Sequence, residues 1–505
     1  MKYDCTIIGA GLSGITFLNS LVENLKKNKK NKKINICVID KDKDLVAGGV
    51  AYSIKLSTSG FFNNPLRLSH PEFIRWIKKK KNLKNIKSYL LVHGSCVEKN
   101  WAKKNFNYNN FDFSEEYFPR VVVNFWLKDL LKRTLIKAKP NISVTFFESE
   151  VFSIIKKNNI WILNGKKKFK KLNEKNLKFD YANKSNLIES KFITLSLGIP
   201  APIKFHKKKN ISPNYLHDFY SEGSTEKLKK LISGKKKKKI KIFFIGYKAG
   251  LLEPLMEMQY LLKNLKKKIE IISLSSSLKS LEPAIKSKNF NIINLTNFKI
   301  KQINKIKTAK IFFDKFIEEL KTGKKNGLSK YDIWTAILKN KIIDRVIKNF
   351  NTKELKNYNN IYFPKIRSLT RFTFPEAVMI KDDLIKRKIL KVLKGKVVNI
   401  KKNNDLLTVI IKNKKLNSMN VDIVINASGP QSMLGLVNDN RLIKSLNSKC
   451  NILEKGFEIN DKFEISKNIF SPGYLSHGFN PARKTLFKAI IENSFKVGKY
   501  ISNGI

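Results

Sequence analysis

Cysteine, histidine and long apolar runs are all scarce in this 505-residue chain. Its four cysteines include no Cys-x-x-Cys pair and no spacing typical of a disulfide framework, so a reducing, cytoplasmic location is expected. Its five histidines are scattered without metal-ligand spacing, so no metal site is expected. No stretch approaches the roughly 20 apolar residues of a membrane span. Because a core strand begins at residue 3, a cleaved signal peptide is not expected either.

Positive charge, by contrast, is abundant, and its distribution argues against specific nucleic-acid binding. The chain has 101 Lys and Arg against 40 Asp and Glu, a net charge of +61. Only ten of the basic residues are arginine, although arginine is the preferred residue for bidentate contacts to phosphates and bases. The lysines form loop-like runs such as 235–239 and do not alternate with aromatic residues. We therefore expect only weak, salt-sensitive, non-specific binding to polyanions.

The most informative motif is a Gly-x-Gly-x-x-Gly run that follows an apolar strand over residues 3–8. Gly9 suits the tight turn that leaves the strand, and Gly11 lets the backbone approach a pyrophosphate. Gly14 allows the following helix to pack close to the strand. The N-terminus of that helix carries unpaired N–H groups and a partial positive charge, which favour phosphate. The pattern is typical of a dinucleotide-binding unit, and a glycine-rich turn in another α/β protein is the alternative.

A second strand over residues 34–39 ends in Asp40. In a βαβ unit this carboxylate accepts hydrogen bonds from the hydroxyl groups of the adenosine ribose. The same residue also suits an ordinary acidic end to a strand, and the sequence leaves that alternative open.

A second strand–glycine–helix pattern follows about 235 residues later, at Gly246 and Gly250. Two further strands end in a glycine close to a proline, at Gly198 and Gly429. Such turns return the backbone close to a bound dinucleotide, although glycine and proline also end strands elsewhere. Residues 300–360 carry apolar residues at helical spacing.

These patterns predict an α/β protein with two Rossmann-like dinucleotide-binding domains and an added helical region. The first of these domains, to which a resemblance to known flavoproteins assigns FAD, is expected to be discontinuous. Its first part covers residues 1–200, and an NAD(P)-binding-like domain is inserted over 201–395 with its helical segment at 300–360. The chain is expected to return to the FAD domain over 396–505.

The chain resembles the two-dinucleotide flavoproteins that include flavin-dependent N-hydroxylating and urate-hydroxylating monooxygenases. Besides the glycines above, the resemblance rests on the segments 48–53 (Gly-Gly-Val-Ala-Tyr-Ser), 61–69 (Phe-Phe-Asn-Asn-Pro-Leu-Arg-Leu-Ser), 117–120 (Tyr-Phe-Pro-Arg) and 426–430 (Asn-Ala-Ser-Gly-Pro). It implies that FAD lies on the first unit, with Asn63 and Arg120 near the flavin or its phosphates. A cation such as Arg120 at a helix start opposes the helix dipole, so an anion or carboxylate is expected beside it, with an ordinary surface ion pair as the alternative.

The second unit departs from the family pattern, which has Gly-x-Gly or Gly-x-Ala where this chain has Lys248. The strand that follows leads into Ser275-Ser276-Ser277, without the arginine that commonly holds an NADP 2′-phosphate. Both NADPH and NADH therefore remain open as the nicotinamide, and so does a second site that has lost its ligand. Arg367 and Arg371 are candidate anchors for a carboxylate substrate, with a structural ion pair as the alternative.

The resemblance implies an FAD-dependent oxidoreductase, a monooxygenase that oxygenates a small substrate such as an amine through a flavin hydroperoxide. Two alternatives are a flavin dehydrogenase or reductase that uses no oxygen and a non-catalytic flavin-binding protein. The chemistry belongs to the cofactor in such enzymes, and no catalytic acid or base is assigned from the sequence.

Overall fold

The computed structural model describes residues 1–28, 32–54, 60–62, 64–105, 117–172, 179–206, 212–219, 221, 223–247, 249–264, 268–276, 281–285, 287, 295–413, 415–478 and 486–505. Asn63 and Lys248 lie outside the described residues.

The described strands lie within residues 2–40, 142–283 and 372–470. They are β1 Lys2–Ile8, β2 Ile34–Asp40, β3 Ile142–Glu148, β4 Val151–Lys157, β5 Ile160–Leu172, β6 Phe179–Leu195, β7 Tyr215–Leu216, β8 Lys239–Ile245, β9 Lys268–Ser275, β10 Glu282–Pro283, β11 Phe372–Thr373, β12 Leu390–Lys394, β13 Lys396–Asn403, β14 Leu406–Lys412, β15 Leu416–Val421, β16 Ile423–Asn426, β17 Ile452–Leu453, β18 Gly456–Phe457, β19 Glu464–Ser466 and β20 Ile469–Phe470.

Helices connect and cover these strands. They are α1 Leu12–Lys27, α2 Gly49–Tyr52, α3 Pro71–Ile77, α4 Lys80–His93, α5 Cys96–Asn105, α6 Val122–Ala138, α7 Ser224–Gly234, α8 Ala249–Asn264, α9 Ile300–Ile303, α10 Ala309–Lys325, α11 Lys330–Lys339, α12 Ile342–Ile347, α13 Thr352–Asn357, α14 Phe363–Leu369, α15 Pro375–Lys386, α16 Met433–Asp439, α17 Arg441–Asn447 and α18 Leu486–Gly504.

The first unit is built on a mixed sheet in the order β19-β20-β6-β1-β2-β3-β5-β4. Its centre is parallel, because β1 pairs in parallel with β2 and β6, and β2 with β3. Such strands are covered on both faces, which explains their nearly continuous apolar sequences. Helix α1 covers one face, and the C-terminal helix α18 packs along it.

The second unit repeats this arrangement. Its parallel sheet has the order β12-β9-β8-β16-β7, and α8 joins β8 to β9 as α1 joins β1 to β2. An antiparallel sheet, β13-β14-β15, packs on one face. The helical region expected at 300–360 is present as α9 to α13, and it has a core of its own.

The inserted unit extends further along the chain than the sequence indicates. The expected boundary at residue 395 falls between β12 and β13, but β16 pairs with β8 inside the second sheet. The chain therefore returns to the first unit after Asn426. The reason is a long-range strand pairing, Asn426 with Ile245, which no local pattern reveals.

Candidate dinucleotide-binding sites

The turn between β1 and α1 requires glycine at two positions. Gly9 has a φ of +99°, and a Cβ on it would collide with the carbonyl oxygen of Ser196 at the end of β6. A Cβ on Gly14 would collide with the carbonyl oxygen of Gly9. The N–H of Gly9 donates to the carbonyl of Ile39 at 2.7 Å, which ties the turn to the end of β2. The fingerprint therefore has the tight strand-to-helix geometry that the sequence indicates.

Gly11 is different, because protein packing does not require it. It caps α1 with an extended backbone (φ −80°, ψ −157°) and offers no side chain to the helix N–H groups. The nearest atoms to a Cβ there belong to the backbone of Gly48 and Gly49, and the closest, the Cα of Gly49, is at an ordinary contact distance of 3.4 Å. The first turn of α1 contains no acidic residue. The helix N-terminus is thus a suitable anion site, and the residues present fit a pyrophosphate.

Asp40 ends β2 beside this turn. Its Oδ2 accepts from the N–H of Ala10 at 2.7 Å, and its Oδ1 accepts from the N–H of Asp42 at 3.3 Å. Burial raises the pKa of this carboxyl, and the hydrogen bond from Ala10 opposes the shift. Each oxygen still has lone pairs for further donors, so the carboxylate can accept a ribose hydroxyl as well.

The segment after β2 lies over the glycine turn and is held there by Asn124, a residue that the sequence analysis did not single out. The N–H of Ala47 donates to the carbonyl of Ala10 at 2.9 Å, and Asn124 Nδ2 donates to the carbonyl of Ala47 at 2.9 Å. A Cβ on Gly48 would collide with Asn124 Nδ2. The available signal was an amide within the apolar start of α6, since buried polar side chains need partners.

The turn of the second unit has the same geometry. The N–H of Gly246 donates to the carbonyl of Leu274 at 2.8 Å, as Gly9 does to Ile39. Gly246 has a φ of +119°, and a Cβ on it would collide with the carbonyl oxygen of Ala427 at the end of the neighbouring strand. Gly246 and Ala427 therefore correspond in place to Gly9 and Ser196.

Gly250 makes the close helix contact in this unit. Its Cβ would lie 2.6 Å from the carbonyl oxygen of Ala427. In the first unit the matching position is Ser13, whose Oγ is 3.2 Å from Ser196 Oγ. The buried Leu251 stands where the first unit has Gly14. The second turn thus uses glycine one residue earlier and packs its helix differently.

The two strand-end glycines also correspond to each other. Gly198 and Gly429 have φ values of +74° and +89°, and a Cβ on either would meet no protein atom within 4 Å. Glycine is favoured there by backbone conformation and not by packing against the protein. Just beyond them the two inter-unit linkers run side by side, where Pro202 bridges Pro430 and the N–H of Gln431 donates to the carbonyl of Ala201.

Arg120 lies between the units. Its Nη2 is 2.5 Å from Glu253 Oε1 on α8, and its Nε donates to the carbonyl of Phe61 at 3.1 Å. The carboxylate expected beside this cation is thus supplied by the other unit. Arg367 and Arg371 are exposed.

The predicted binding residues that the structure describes therefore form one group in each unit, with Arg120 at the contact between the units. The first sheet brings together Gly9, Gly11, Gly14, Asp40 and Gly198 at the carboxyl ends of its strands, and the second sheet does the same with Gly246, Gly250 and Gly429. Ligands bind at this edge in open α/β sheets.

In the described part of the chain, no cluster of three His, Cys, Asp or Glu residues is placed to hold a metal ion. None of the described helices is long and apolar enough to cross a membrane.

The architecture is that of two dinucleotide-binding-like units, each a parallel sheet with a strand–glycine–helix turn. Residues 6–173 match the profile of an FAD-NAD(P)-binding family. A comparison with curated protein sequences finds no match.

Many solved structures share the fold over the whole chain, among them two ornithine hydroxylases and a cadaverine monooxygenase. An ornithine N-hydroxylase from Kutzneria sp. 744, determined with reduced FAD, NADP+ and L-ornithine, is 12% identical with a TM-score of 0.55 and full coverage of both chains. The ornithine hydroxylase of Pseudomonas aeruginosa is 12% identical with a TM-score of 0.54, covering 100% of this chain and 99% of that one. The FAD-bound cadaverine monooxygenase of Erwinia amylovora is 11% identical with a TM-score of 0.52, covering 100% and 95%. At these identities the likeness concerns the fold.

Proposed function

We propose that this chain is an FAD-dependent oxidoreductase, a monooxygenase reduced by NADPH that hydroxylates a nitrogen of a small amine. The observation that carries the proposal is the repeated geometry of Gly9 and Gly246. Each ends a central parallel strand, donates to the neighbouring strand end and begins a helix. Two such turns in one chain suit an enzyme that passes hydride from one dinucleotide to another. The amine is proposed from the named substrates of the ornithine and cadaverine enzymes that share the fold.

FAD is proposed for the first unit. Gly9, Gly11 and Gly14 would hold its pyrophosphate, Asp40 would accept from its adenosine ribose, and the Gly198 turn would leave room for it. FAD, when bound, supplies the hydride acceptance and the reaction with oxygen, while the protein binds, orients and excludes water. Asn63 remains a predicted contact. Arg120 also remains one, although its guanidinium has Glu253 as a partner.

The nicotinamide is proposed to be NADPH, held by Gly246, Gly250 and Gly429 in the second unit. The support comes from comparing the same edge of the two sheets. In the first unit the strand ends carry two acids, Asp40 and its parallel neighbour Glu148. In the second unit the corresponding neighbours are Ser275 and Lys394.

This reversal of charge fits a 2′-phosphate. An acid at the end of the second strand suits a ribose with a free 2′-hydroxyl, whereas a basic group accommodates a 2′-phosphate. The N–H of Gly395 donates to the carbonyl of Ser275 at 3.0 Å, which holds the lysine-bearing segment against this strand end. Lys394 thus offers the positive charge that the sequence after β9 lacks.

The proposed setting is a reducing compartment such as the cytoplasm. All four cysteines are free thiols, and Cys5 and Cys37 are buried inside the first sheet. Burial raises the pKa of both thiols well above its usual range, so they are unreactive core residues.

The experiment is anaerobic reduction of the reconstituted holoenzyme, followed by aeration with ornithine, lysine or cadaverine. The proposal expects a yellow protein, flavin bleaching by NADPH, and a hydroxylamine product with matching oxygen uptake. A colourless protein that gains no flavin would refute the proposal. Flavin that is reduced but yields no oxygenated product would favour a dehydrogenase or reductase. Flavin that neither nicotinamide reduces would favour a non-catalytic flavin-binding protein.

A further inference from the structure

Helix α8, which begins at the second glycine turn, is shared by two hydrophobic cores. Leu251 and Leu255 are fully buried in the core of the second unit. Leu252 and Met256 are buried in the core of the first unit. The spacing of these two pairs places them on different faces of the helix. The helix that leads away from the proposed nicotinamide site is therefore docked directly on the proposed FAD unit.

The docking face also carries a charged contact. Glu253 lies next to Leu252 on this face, and its side chain is 6% exposed. Its Oε1 pairs with Arg120, while its Oε2 has no hydrogen-bond partner among the described residues. Removing either charge would leave the other buried without a counter-charge, so substitution of one partner should weaken the docking of α8 on the first unit.

Arg120 is held in place by the first unit before it meets the glutamate. Its backbone N–H donates to the carbonyl of Gly60 at 2.8 Å, and its Nε donates to the carbonyl of Phe61 at 3.1 Å. Gly60 leaves room for the side chain, because a Cβ there would lie 3.1 Å from Arg120 Cδ. The guanidinium therefore presents a fixed direction to α8.

Direction matters because the apolar contacts of α8 with the first unit do not set it. Away from α8, Tyr117 OH donates to Tyr331 OH at 3.1 Å and Phe61 stacks on Phe374, so the units also meet there. The chain passes between the units along two neighbouring linkers, an arrangement that permits one domain to rotate against another. The apolar contacts of Leu252 and Met256 are non-directional. A hydrogen-bonded ion pair is directional and short in range. Glu253 lies three residues beyond Gly250, only about 4.5 Å along the helix axis, so a shift at the pair moves the turn directly.

We propose that Arg120 and Glu253 form a positioning pair that sets the angle of the second nucleotide turn relative to the first. The pair acts on hydride transfer between the units and not on the affinity for NADPH. This inference rests on the proposed function, since it assumes a nicotinamide on the second unit and FAD on the first. Neither side chain is assigned contact with the reacting atoms.

The test uses the holoenzyme with Glu253→Gln, Arg120→Lys and the charge exchange Arg120→Glu with Glu253→Arg. Stopped-flow reduction under anaerobic conditions gives the limiting rate and the apparent Kd for NADPH separately. We expect Glu253→Gln to lower the limiting rate by tenfold or more, on the order expected for a misplaced reactant, with less than about a threefold change in Kd. Arg120→Lys, which keeps the charge, should lose less of the rate than Glu253→Gln, and the charge exchange should retain part of it. The matched control is Glu270→Gln, which removes a carboxylate paired only within the second unit.

A second readout does not depend on activity. Amide hydrogen exchange should become faster in α8 of Glu253→Gln and in α5, the helix of the first unit that contacts α8. It should stay unchanged in α1. Unchanged exchange and an unchanged limiting rate would overturn the inference, and so would a rise in Kd alone, which would make Arg120 a cofactor contact. If NADPH fails to reduce even the wild-type flavin, the proposed function fails, and the exchange result alone decides whether the pair fixes the docking of α8.

Discussion

Glu98 is a buried carboxyl at the contact between α5 and α8, and its titration should be visible in the stability of the protein. It forms a capping box with Ser95, whose N–H donates to Glu98 Oε2 at 2.9 Å and whose Oγ accepts from the N–H of Glu98 at 3.2 Å. The residue is 6% exposed. Burial raises the pKa of Glu98 from 4.5 to about 7, against the hydrogen bonds from Ser95 and with a further contribution from the charge of Glu257.

The sign of the effect follows from this direction. Between pH 4.5 and about 7 the folded protein keeps the proton on Glu98 while the unfolded chain releases it. The stabilisation is therefore complete below pH 4.5 and disappears as the pH rises through about 7. A shift of this size corresponds to about 3 kcal/mol of unfolding free energy. Glu98→Gln removes the titrating group. The unfolding free energy of the variant relative to that of the wild type should therefore rise by about that amount between pH 4.5 and 8.

The assay is urea unfolding of wild type and Glu98→Gln from pH 4.5 to 8.5, with the difference in unfolding free energy plotted against pH. Other groups titrate in both proteins and cancel in the difference. The control is Glu454→Gln, because Glu454 is exposed and its substitution should give a flat difference. If the Glu98→Gln difference is also flat to within about 0.5 kcal/mol, the buried-carboxyl reasoning is wrong.

Three further outcomes are expected. Gly14→Ala should destabilise the fold by about 3 kcal/mol or more, because its Cβ meets a backbone carbonyl. Gly11→Ala should keep the wild-type unfolding curve, but its FAD affinity, measured by titration, should fall on the order of tenfold or more. Equal unfolding curves for the two variants would contradict this. Lys394→Ala should weaken 2′,5′-ADP binding about tenfold in calorimetry but leave 5′-AMP unchanged, with Lys401→Ala as the charge-matched control; equal losses for both ligands would mean non-specific attraction. Asn124→Ala should cost about 1–3 kcal/mol in urea unfolding, because it strands a buried carbonyl; an unchanged midpoint would contradict that role.

The two glycine turns could be predicted from sequence because their requirements are local. A residue such as Gly9 must have positive φ and no Cβ, and the residue types on either side of it reveal the strand and the helix. The correspondence of Gly246 with Gly9 follows from the same pattern. The helical region after β9 was equally accessible, since helical periodicity is also a local property. The roles of these glycines toward FAD and NADPH stay predictions.

Other parts of the site depend on residues far apart in the chain. Arg120 meets a carboxylate 133 positions later, and nothing near either residue indicates the pair. Lys394 lies beside Ser275 only because β12 pairs in parallel with β9. The boundary of the inserted unit moved from residue 395 to about 426 for the same reason.

The amino-acid sequence alone specified the two strand–glycine–helix turns and the α/β class, because backbone sterics and residue periodicity act over only a few residues. Strand register and helix docking settled the rest. They place Lys394 at the edge of the second sheet and seat Glu253 on the first unit, because the partners of a strand or a helix face are chosen by packing across the whole chain.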